Sequence, residues 1–242
     1  MLISLERPWA WVSSSQERCA PSARLQQDHN WISQRIGEAP SVVRKELESR
    51  DFIFSPPEAK IDGNLVFAAA GRLIGLLPSL NLVVRSHVDA IFLLESEEQF
   101  DVTHSEPRWP EWVFISRPQL TGEVAALRTS ENVVHEAMHL QLSLFEKRTP
   151  LVADLEATIR SPWKQEPRNL QGILHGLYVF VCISAFFRGL RQTEALSYPG
   201  GKYVKGRLAA IEAEISSISM PDLERGLTPA GSSFLRQLLP DA

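Results

Sequence analysis

Two long apolar stretches dominate the hydrophobic pattern of the chain. Residues 128–146 place apolar side chains around nearly the whole circumference of a helix, and no Gly or Pro interrupts them. Thr129 or Ser130 can cap the start of this helix, and Glu131 is placed to favour the positive end of its dipole. Leu170 to Arg191 is a second stretch of the same kind. Because a helix that is apolar on all sides is typical of a protein interior, we expect both to be buried.

Shorter segments predict four further helical regions. Their boundaries are marked by Pro, by Ser or Thr caps and by runs of Ala and Leu. The regions are residues 21–50, divided by Pro40 with Ser41 able to cap the second piece; Leu65 to Leu77, ended by Pro78; Val204 to Ser217; and a last short helix with Thr228 as cap and Pro229 at its first position.

Strands are predicted between residues 82 and 118. Leu82 to Leu94 is rich in β-branched residues, with a break near Ser86, and Trp112 to Ser116 predicts another strand. We therefore expect an α+β fold, mainly helical, with a small antiparallel sheet beside the helix of residues 128–146. Loops are expected at Asp101 to Pro107, at Pro150 to Arg168, where Val152 to Ile159 could make two helical turns, and at Pro199-Gly200-Gly201.

Composition excludes several classes of protein. Apolar residues make up 44% of the chain and charged residues 22%, with a net charge of −4 and no block of Lys or Arg. Binding to nucleic acid or to an anionic membrane surface is therefore not expected. The run from Gly172 to Phe187 is too short for a comfortable membrane span, and the N-terminus has no signal-peptide core. Cys19 and Cys182 form neither a disulfide framework nor a metal cluster, which favours a cytoplasmic protein.

The motif His135-Glu136-Ala137-Met138-His139 is the HExxH pattern, and it falls inside the first buried helix. Two imidazoles four residues apart project from the same face of a helix, so both can reach one metal ion at roughly 2 Å. A chance pair of surface or hydrogen-bonded histidines is the alternative. The full pattern in a charge-poor helix favours a metal site.

The third ligand decides the chemistry of such a site. His175 is the only other His in an apolar helix, and Gly172 and Gly176 on either side of it allow another element to approach closely. A core histidine bonded to a backbone carbonyl is the alternative for this residue, but because the two histidines of the motif already need a partner, we favour His175 as the third ligand. The carboxylates that could serve instead, as in a thermolysin-like enzyme, are Glu156 and Glu166, with Asp154 as a further candidate.

From about residue 82 to residue 240 the chain resembles a family of HExxH peptide-modification proteins encoded beside ribosomally synthesised peptides. Several long blocks carry the resemblance. They are Asp101-Val-Thr-His-Ser-Glu-Pro, Val113-Phe-Ile-Ser, Leu127-Arg-Thr-Ser-Glu-Asn-Val-Val-His-Glu-Ala-Met-His-Leu-Gln-Leu, Ser161-Pro-Trp-Lys-Gln-Glu-Pro-Arg-Asn-Leu-Gln-Gly-Ile-Leu-His-Gly-Leu-Tyr-Val-Phe and Leu227-Thr-Pro-Ala-Gly.

The resemblance implies an oxidoreductase: an Fe(II)- and 2-oxoglutarate-dependent dioxygenase that hydroxylates a side-chain β-carbon in a precursor peptide. In such an enzyme His135, His139 and His175 would hold the iron and leave positions open for 2-oxoglutarate and O₂. The far carboxylate of 2-oxoglutarate needs a cation, for which Arg168 is the first candidate, before Arg128 and Lys164. The family usually has Arg where this chain has Lys164, and Lys is a weaker, monodentate partner for an acid.

Alternative functions remain open from the sequence. In a zinc peptidase Glu136 would be the general base on a metal-bound water, with a carboxylate such as Glu156 as third ligand; in an oxygenase it would instead orient a ligand or contact the substrate. A peptide-binding module with a closed structural zinc site is a third reading. His104 and Ser105 could line the pocket or form a simple turn.

The length of 242 residues suffices for one substantial domain with a full core. We expect residues 1–80 to form an N-terminal helical portion that packs on the HExxH portion, residues 81–242, within one compact domain.

Overall fold

The structure is a computed structural model that describes residues 8–9, 30–97 and 100–240. Cys19 and the predicted helical residues 21–29 lie outside this part. Ten helices and five strands are named here within it. The helices are α1 (Trp31–Arg35), α2 (Ser41–Glu48), α3 (Ala59–Asp62), α4 (Asn64–Gly75), α5 (Pro78–His87), α6 (Glu123–Glu146), α7 (Leu170–Gln192), α8 (Tyr198–Ser216), α9 (Met220–Arg225) and α10 (Pro229–Leu238). The strands are β1 (Ala90–Leu94), β2 (Thr103–Ser105), β3 (Trp112–Ser116), β4 (Thr158–Arg160) and β5 (Pro167–Asn169).

The α+β class and its helical predominance are confirmed, and the small sheet lies beside the HExxH helix as expected. The three-stranded sheet has the order β1-β3-β2 and is mixed: β1 pairs with β3 in parallel, and β2 pairs with β3 antiparallel. The expected antiparallel pairing is therefore present between β2 and β3, whereas β1 adds a parallel pairing that the sequence did not predict. After β1 the chain first forms β2 at the opposite edge of the sheet. It then reverses direction into the central strand β3, which therefore runs parallel to β1.

Helix α6 lies at the centre of the packing. It contacts α4, α5, α7 and α8, and it also packs against strands β2 and β3. The main hydrophobic core joins buried residues from both the N-terminal and the HExxH portions, including Phe67 and Val133. The predicted buried helices are both confirmed, although α6 begins at Glu123, directly after Gly122 with φ 87°, rather than near Thr129.

Helix α7 is long and apolar enough to cross a membrane by length and composition. Within the protein, however, 83% of its most apolar window is buried. Cys182 on this helix is fully buried, as its apolar surroundings predicted, and burial raises the pKa of its thiol.

The segment Leu82 to Leu94 was only half correctly predicted. Its first six residues belong to α5, and the strand begins at Ala90. Pro78 in the first turn favours helix formation, and Leu80, Val84 and His87 are buried along one side of the helix. The helical spacing of buried positions therefore outweighs β-branched propensity.

Three predicted loops contain regular structure. Thr103 to Ser105 form the edge strand β2, because pairing with β3 orders a segment whose polar residues suit a half-buried edge. Residues 199–201 lie in α8, where the side chain of Ser197 accepts a hydrogen bond from the Gly200 amide and Pro199 occupies the first turn.

The two helical turns expected at Val152 to Ile159 do not form. The Asp154 carboxylate accepts hydrogen bonds from the amides of Glu156 and Ala157, which stabilises a local turn. Strands β4 and β5 then pair as a short antiparallel hairpin. Other predicted elements are confirmed, including β3, α4 and the cap of α10. The hydroxyl of the capping residue Thr228 accepts a hydrogen bond from the Gly231 amide at 3.0 Å.

Candidate metal centre

His135 and His139 meet on one face of α6. Their Nε2 atoms lie 3.2 Å apart, and their ring centroids are separated by 4.8 Å. Two nitrogens bound to one metal at about 2 Å are themselves separated by roughly 3 Å. The helical spacing of the motif therefore produces the pairing that it predicted.

His175 is brought to this pair by helix α7. Its Nδ1 atom lies 3.4 Å from Nδ1 of His139, and the two rings are nearly parallel, with centroids 5.6 Å apart. The glycines around it allow close approach, as expected. A Cβ atom on Gly176 would lie 2.5 Å from the indole of Trp163, and one on Gly172 would collide with the side chain of Arg168. The structure thus gathers three imidazoles from two core helices.

The donor chemistry of this cluster suits Fe(II) or Zn(II), which imidazole nitrogens bind well. Burial lowers the pKa of His135 to about 4, and burial together with the neighbouring His135 lowers the pKa of His139 well below its ordinary value. Both rings are therefore neutral at pH 7, and each has a lone pair available for a metal. The side chain of His135 is 24% exposed, so solvent can reach this side of the cluster.

The orientation of the His139 ring keeps the three histidines from directing one nitrogen each to a common point. Its Nε2 faces His135, whereas its Nδ1 faces His175. Accordingly, no group of three His, Cys, Asp or Glu side chains in the described part of the chain is already arranged to hold one ion. A turn of the His139 or His175 ring would be needed to direct all three nitrogens to one point.

Glu146 is a residue that the sequence reasoning did not select. Its Oε2 atom lies 2.6 Å from Nε2 of His175 and accepts a hydrogen bond from Nε2 of Gln171, at 3.0 Å. The spacing could have revealed it, because Glu146 follows His139 by seven residues, about two helical turns, and so shares its face.

Glu136 is buried between α6 and the edge strand β2. Ser105 donates a hydrogen bond to its Oε2, and Thr103 is a second donor to the carboxylate. Burial raises the pKa of Glu136 to about 7, and the two hydroxyl groups oppose that shift. Its Oε1 lies 3.9 Å from Nε2 of His135, so the carboxylate borders the histidine cluster.

The three predicted cosubstrate cations differ in their surroundings. Arg168 is half-buried, lowers the pKa of both motif histidines through its charge, and forms no ion pair within residues 30–97 and 100–240. Arg128 is held by Asp101, with Nε 3.0 Å from the carboxylate. Lys164 is exposed. Of the three, Arg168 combines proximity to the histidines with a charge that no carboxylate in the described residues neutralises.

Arg207 on α8 is a second cation near the cluster that the sequence did not reveal. It donates to the buried Glu131 at 2.7 Å and lies over the ring of Phe180, which in turn meets His135 edge-on. Tyr203 donates to the other oxygen of Glu131 at 3.1 Å. Glu131 therefore anchors α8 to the HExxH helix rather than favouring its N-terminal dipole.

The alternative carboxylate ligands lie elsewhere. Glu156 and Glu166 are exposed, and Asp154 caps a backbone turn. His104 bonds to Glu106 at 2.8 Å and packs on Phe114. The carboxylates that contact the histidine cluster in the described residues are thus Glu146 and Glu136.

No protein-family model matches the chain, and no curated protein matches it.

Proposed function

We propose that the protein is an Fe(II)- and 2-oxoglutarate-dependent oxygenase that hydroxylates a side-chain β-carbon in a ribosomally synthesised precursor peptide. The observation that carries this proposal is the approach of His175 to His139, with nitrogens 3.4 Å apart. It makes an imidazole, rather than Glu156 or Glu166, the third candidate ligand.

His135, His139 and His175 are the residues that would hold the iron. Bound Fe(II) and 2-oxoglutarate supply the activation of O₂ that such a hydroxylation requires. Imidazole ligands contribute no negative charge, so the positive charge of the ion would remain uncompensated, which favours a dianionic cosubstrate such as 2-oxoglutarate. The partly exposed side chain of His135 leaves one side of the cluster open to solvent.

Arg168 is the residue that would bind the far carboxylate of 2-oxoglutarate. Its guanidinium has a planar array of donors that suits bidentate binding of a carboxylate. The Arg168 side chain lies over Gly172, and Gly172 precedes His175 by about one helical turn. Because Gly172 has no side chain, the guanidinium of Arg168 has room at this position. Within the described part of the chain no carboxylate competes for it.

Glu136 has a positioning role in this proposal. Hydrogen bonds from Ser105 and Thr103 hold its carboxylate beside His135, where it can orient a ligand or a substrate amide. No proton needs to be removed by a protein base when a C–H bond is hydroxylated. Glu136→Gln should therefore keep metal binding and measurable turnover of 2-oxoglutarate.

The decisive experiment is anaerobic loading of the purified protein with Fe(II), followed by addition of 2-oxoglutarate, air and a precursor peptide encoded beside its gene. We expect succinate and a peptide heavier by one oxygen atom. His175→Ala is the matched control and should form neither product. Iron-loaded protein that consumes no 2-oxoglutarate with or without peptide would refute the proposal.

A zinc peptidase is the second candidate, and the raised pKa of Glu136 is the observation that favours it. A carboxyl group with a pKa of about 7 is suited to general base catalysis near neutral pH. This candidate predicts zinc-dependent peptide cleavage that Glu136→Gln abolishes. It also predicts that His175→Ala leaves the metal content unchanged, which is the opposite of what the oxygenase requires.

A further inference from the structure

The shortest polar contact of His175 is with Glu146, the last residue of α6. His175 Nε2 and Glu146 Oε2 are 2.6 Å apart, and only 12% and 9% of the two side chains are exposed. Gln171, one turn before His175 on α7, donates to the same carboxylate oxygen. The carboxylate thus makes polar contacts with two side chains of α7.

We propose that Glu146 is a positioning residue that sets the tautomer of His175, keeping the hydrogen on Nε2 and the lone pair on Nδ1. Nδ1 is then the atom by which His175 would bind the metal. The tautomer rests on the contact between a carboxylate and a neutral imidazole, whereas its use in metal binding rests on the proposed function.

The argument begins with what a carboxylate can do. An ionised carboxylate only accepts hydrogen bonds, so the short contact requires His175 to donate from Nε2. A neutral imidazole carries one hydrogen, and Nδ1 is consequently left with a lone pair. That atom faces the histidine cluster, 3.4 Å from His139.

A carboxylate behind a metal-binding imidazole has a recognised physical effect. It fixes the ring orientation and increases the basicity of the nitrogen that faces the metal. Glu146 is placed to do this from the same helix that carries His135 and His139. One helix would then supply two ligands together with the group that orients the third.

Glu146→Gln is the informative variant because it keeps the shape of the side chain. The amide can donate to Nε2 as well as accept from it, so His175 is no longer held in one tautomer. Glu146→Asp keeps the carboxylate on a shorter stem and should restore part of the effect. Gln171→Ala is the matched control, since it removes the other donor to Glu146 without changing the His175 contact.

The first readout is the ¹⁵N NMR spectrum of the histidine rings in metal-free protein, with His175→Ala used to assign the signals. We expect Nε2–H for His175 in the natural protein and in Gln171→Ala, and loss of this preference in Glu146→Gln. A hydrogen on Nδ1 in the natural protein, or an unchanged spectrum in Glu146→Gln, would overturn the proposal.

The second readout is Co(II) binding followed by visible absorption. We expect Glu146→Gln to weaken affinity by about 10–100-fold, Glu146→Asp by less, and Gln171→Ala hardly at all. Unchanged affinity in Glu146→Gln refutes the positioning role. A loss as complete as that of His175→Ala also refutes it, because Glu146 would then be a ligand itself.

These outcomes separate the inference from the proposed function. If the natural protein binds no Co(II), the metal site and the oxygenase both fail, while the NMR result still decides the tautomer. Thermal unfolding of each metal-free variant checks that it is folded. If Glu146→Gln does not fold, the NMR spectrum and the Co(II) affinity of Glu146→Asp are compared with those of the natural protein instead.

Discussion

Ser105 and Glu136 are joined by a hydrogen bond of 2.5 Å that connects the edge strand of the sheet to the centre of the HExxH helix. The bond satisfies a buried carboxylate in the middle of the motif. Because Thr103 also donates to Glu136, side chains two residues apart on β2 point towards the same group, as the alternation of a strand requires. The short strand therefore contributes directly to the candidate site.

Replacing Ser105 by Ala should destabilise the protein. The change leaves one oxygen of a buried carboxylate without its donor, which costs about 1–3 kcal/mol. Urea unfolding at pH 7 measures the effect. Ser49→Ala is the control, because the Ser49 hydroxyl bonds to a backbone carbonyl on the exposed surface. Equal stability of the two variants would contradict a structural role for the Ser105 contact.

Metal content should depend on the histidines and not on the later acidic residues. We expect His135→Ala, His139→Ala and His175→Ala each to lose most of the bound metal, because two remaining imidazoles make a weak site. Glu156→Gln and Glu166→Gln should keep it. Element analysis after loading with Fe(II) or Zn(II) provides the measurement, and retention of full metal content by His175→Ala would favour the peptidase.

The affinity for 2-oxoglutarate should depend on Arg168. Arg168→Ala removes the charged donor for the far carboxylate, so we expect KM for 2-oxoglutarate to rise by about 10–100-fold, as for a lost charge-assisted hydrogen bond. Arg168→Lys should recover part of the loss, and the exposed Lys164→Ala should change KM little. The reverse ranking, with Lys164 dominant, would assign the cosubstrate contact to that residue instead.

The acidic end of the stability profile should depend on Glu106, which follows β2. Burial alone would raise its pKa, but hydrogen bonds from Arg108, Arg50 and His104 outweigh burial and lower the pKa from 4.5 to about 2. A carboxyl group whose pKa is lower when folded stabilises the protein above its unfolded pKa, and this contribution is lost as the pH falls towards 2.

Glu106→Gln should therefore cost about 1–2 kcal/mol at pH 7 and progressively less below pH 4.5. Urea unfolding of both proteins at a series of pH values between 3 and 7 tests this prediction. The ionic strength is held constant, because salt screens exposed ion pairs. A difference that stays constant over this range would show that the ion pairs of Glu106 are not its source.

The indole of Trp163 should respond to a methyl group on α7. Gly176→Ala places a Cβ atom 2.5 Å from that ring, which is itself stacked on Phe180 with centroids 5.1 Å apart. We expect a loss of about 1–3 kcal/mol and a change in Trp fluorescence as the β4–β5 connection shifts. Gly206→Ala is the control, because nothing lies within 4 Å of its added Cβ, and it should be neutral or stabilising.

Periodicity in the sequence was sufficient for the two central helices and for the pairing of His135 with His139. Both depend on interactions within one helix, where a separation of four residues determines which side chains are neighbours. The same locality explains the confirmed cap at Thr228. Where local preferences competed, burial decided the outcome in Leu82 to Leu94, and the cap at Ser197 with Pro199 in the first turn decided it in residues 199–201.

The contacts that assemble the candidate site join residues of separate helices and strands. His175 meets His139 because α7 packs on α6, Glu146 faces His175 for the same reason, and Ser105 reaches Glu136 only because its segment pairs with β3. No local spacing encodes these approaches. They arise when apolar surfaces far apart in the chain are buried against each other, and that packing sets which polar side chains become neighbours.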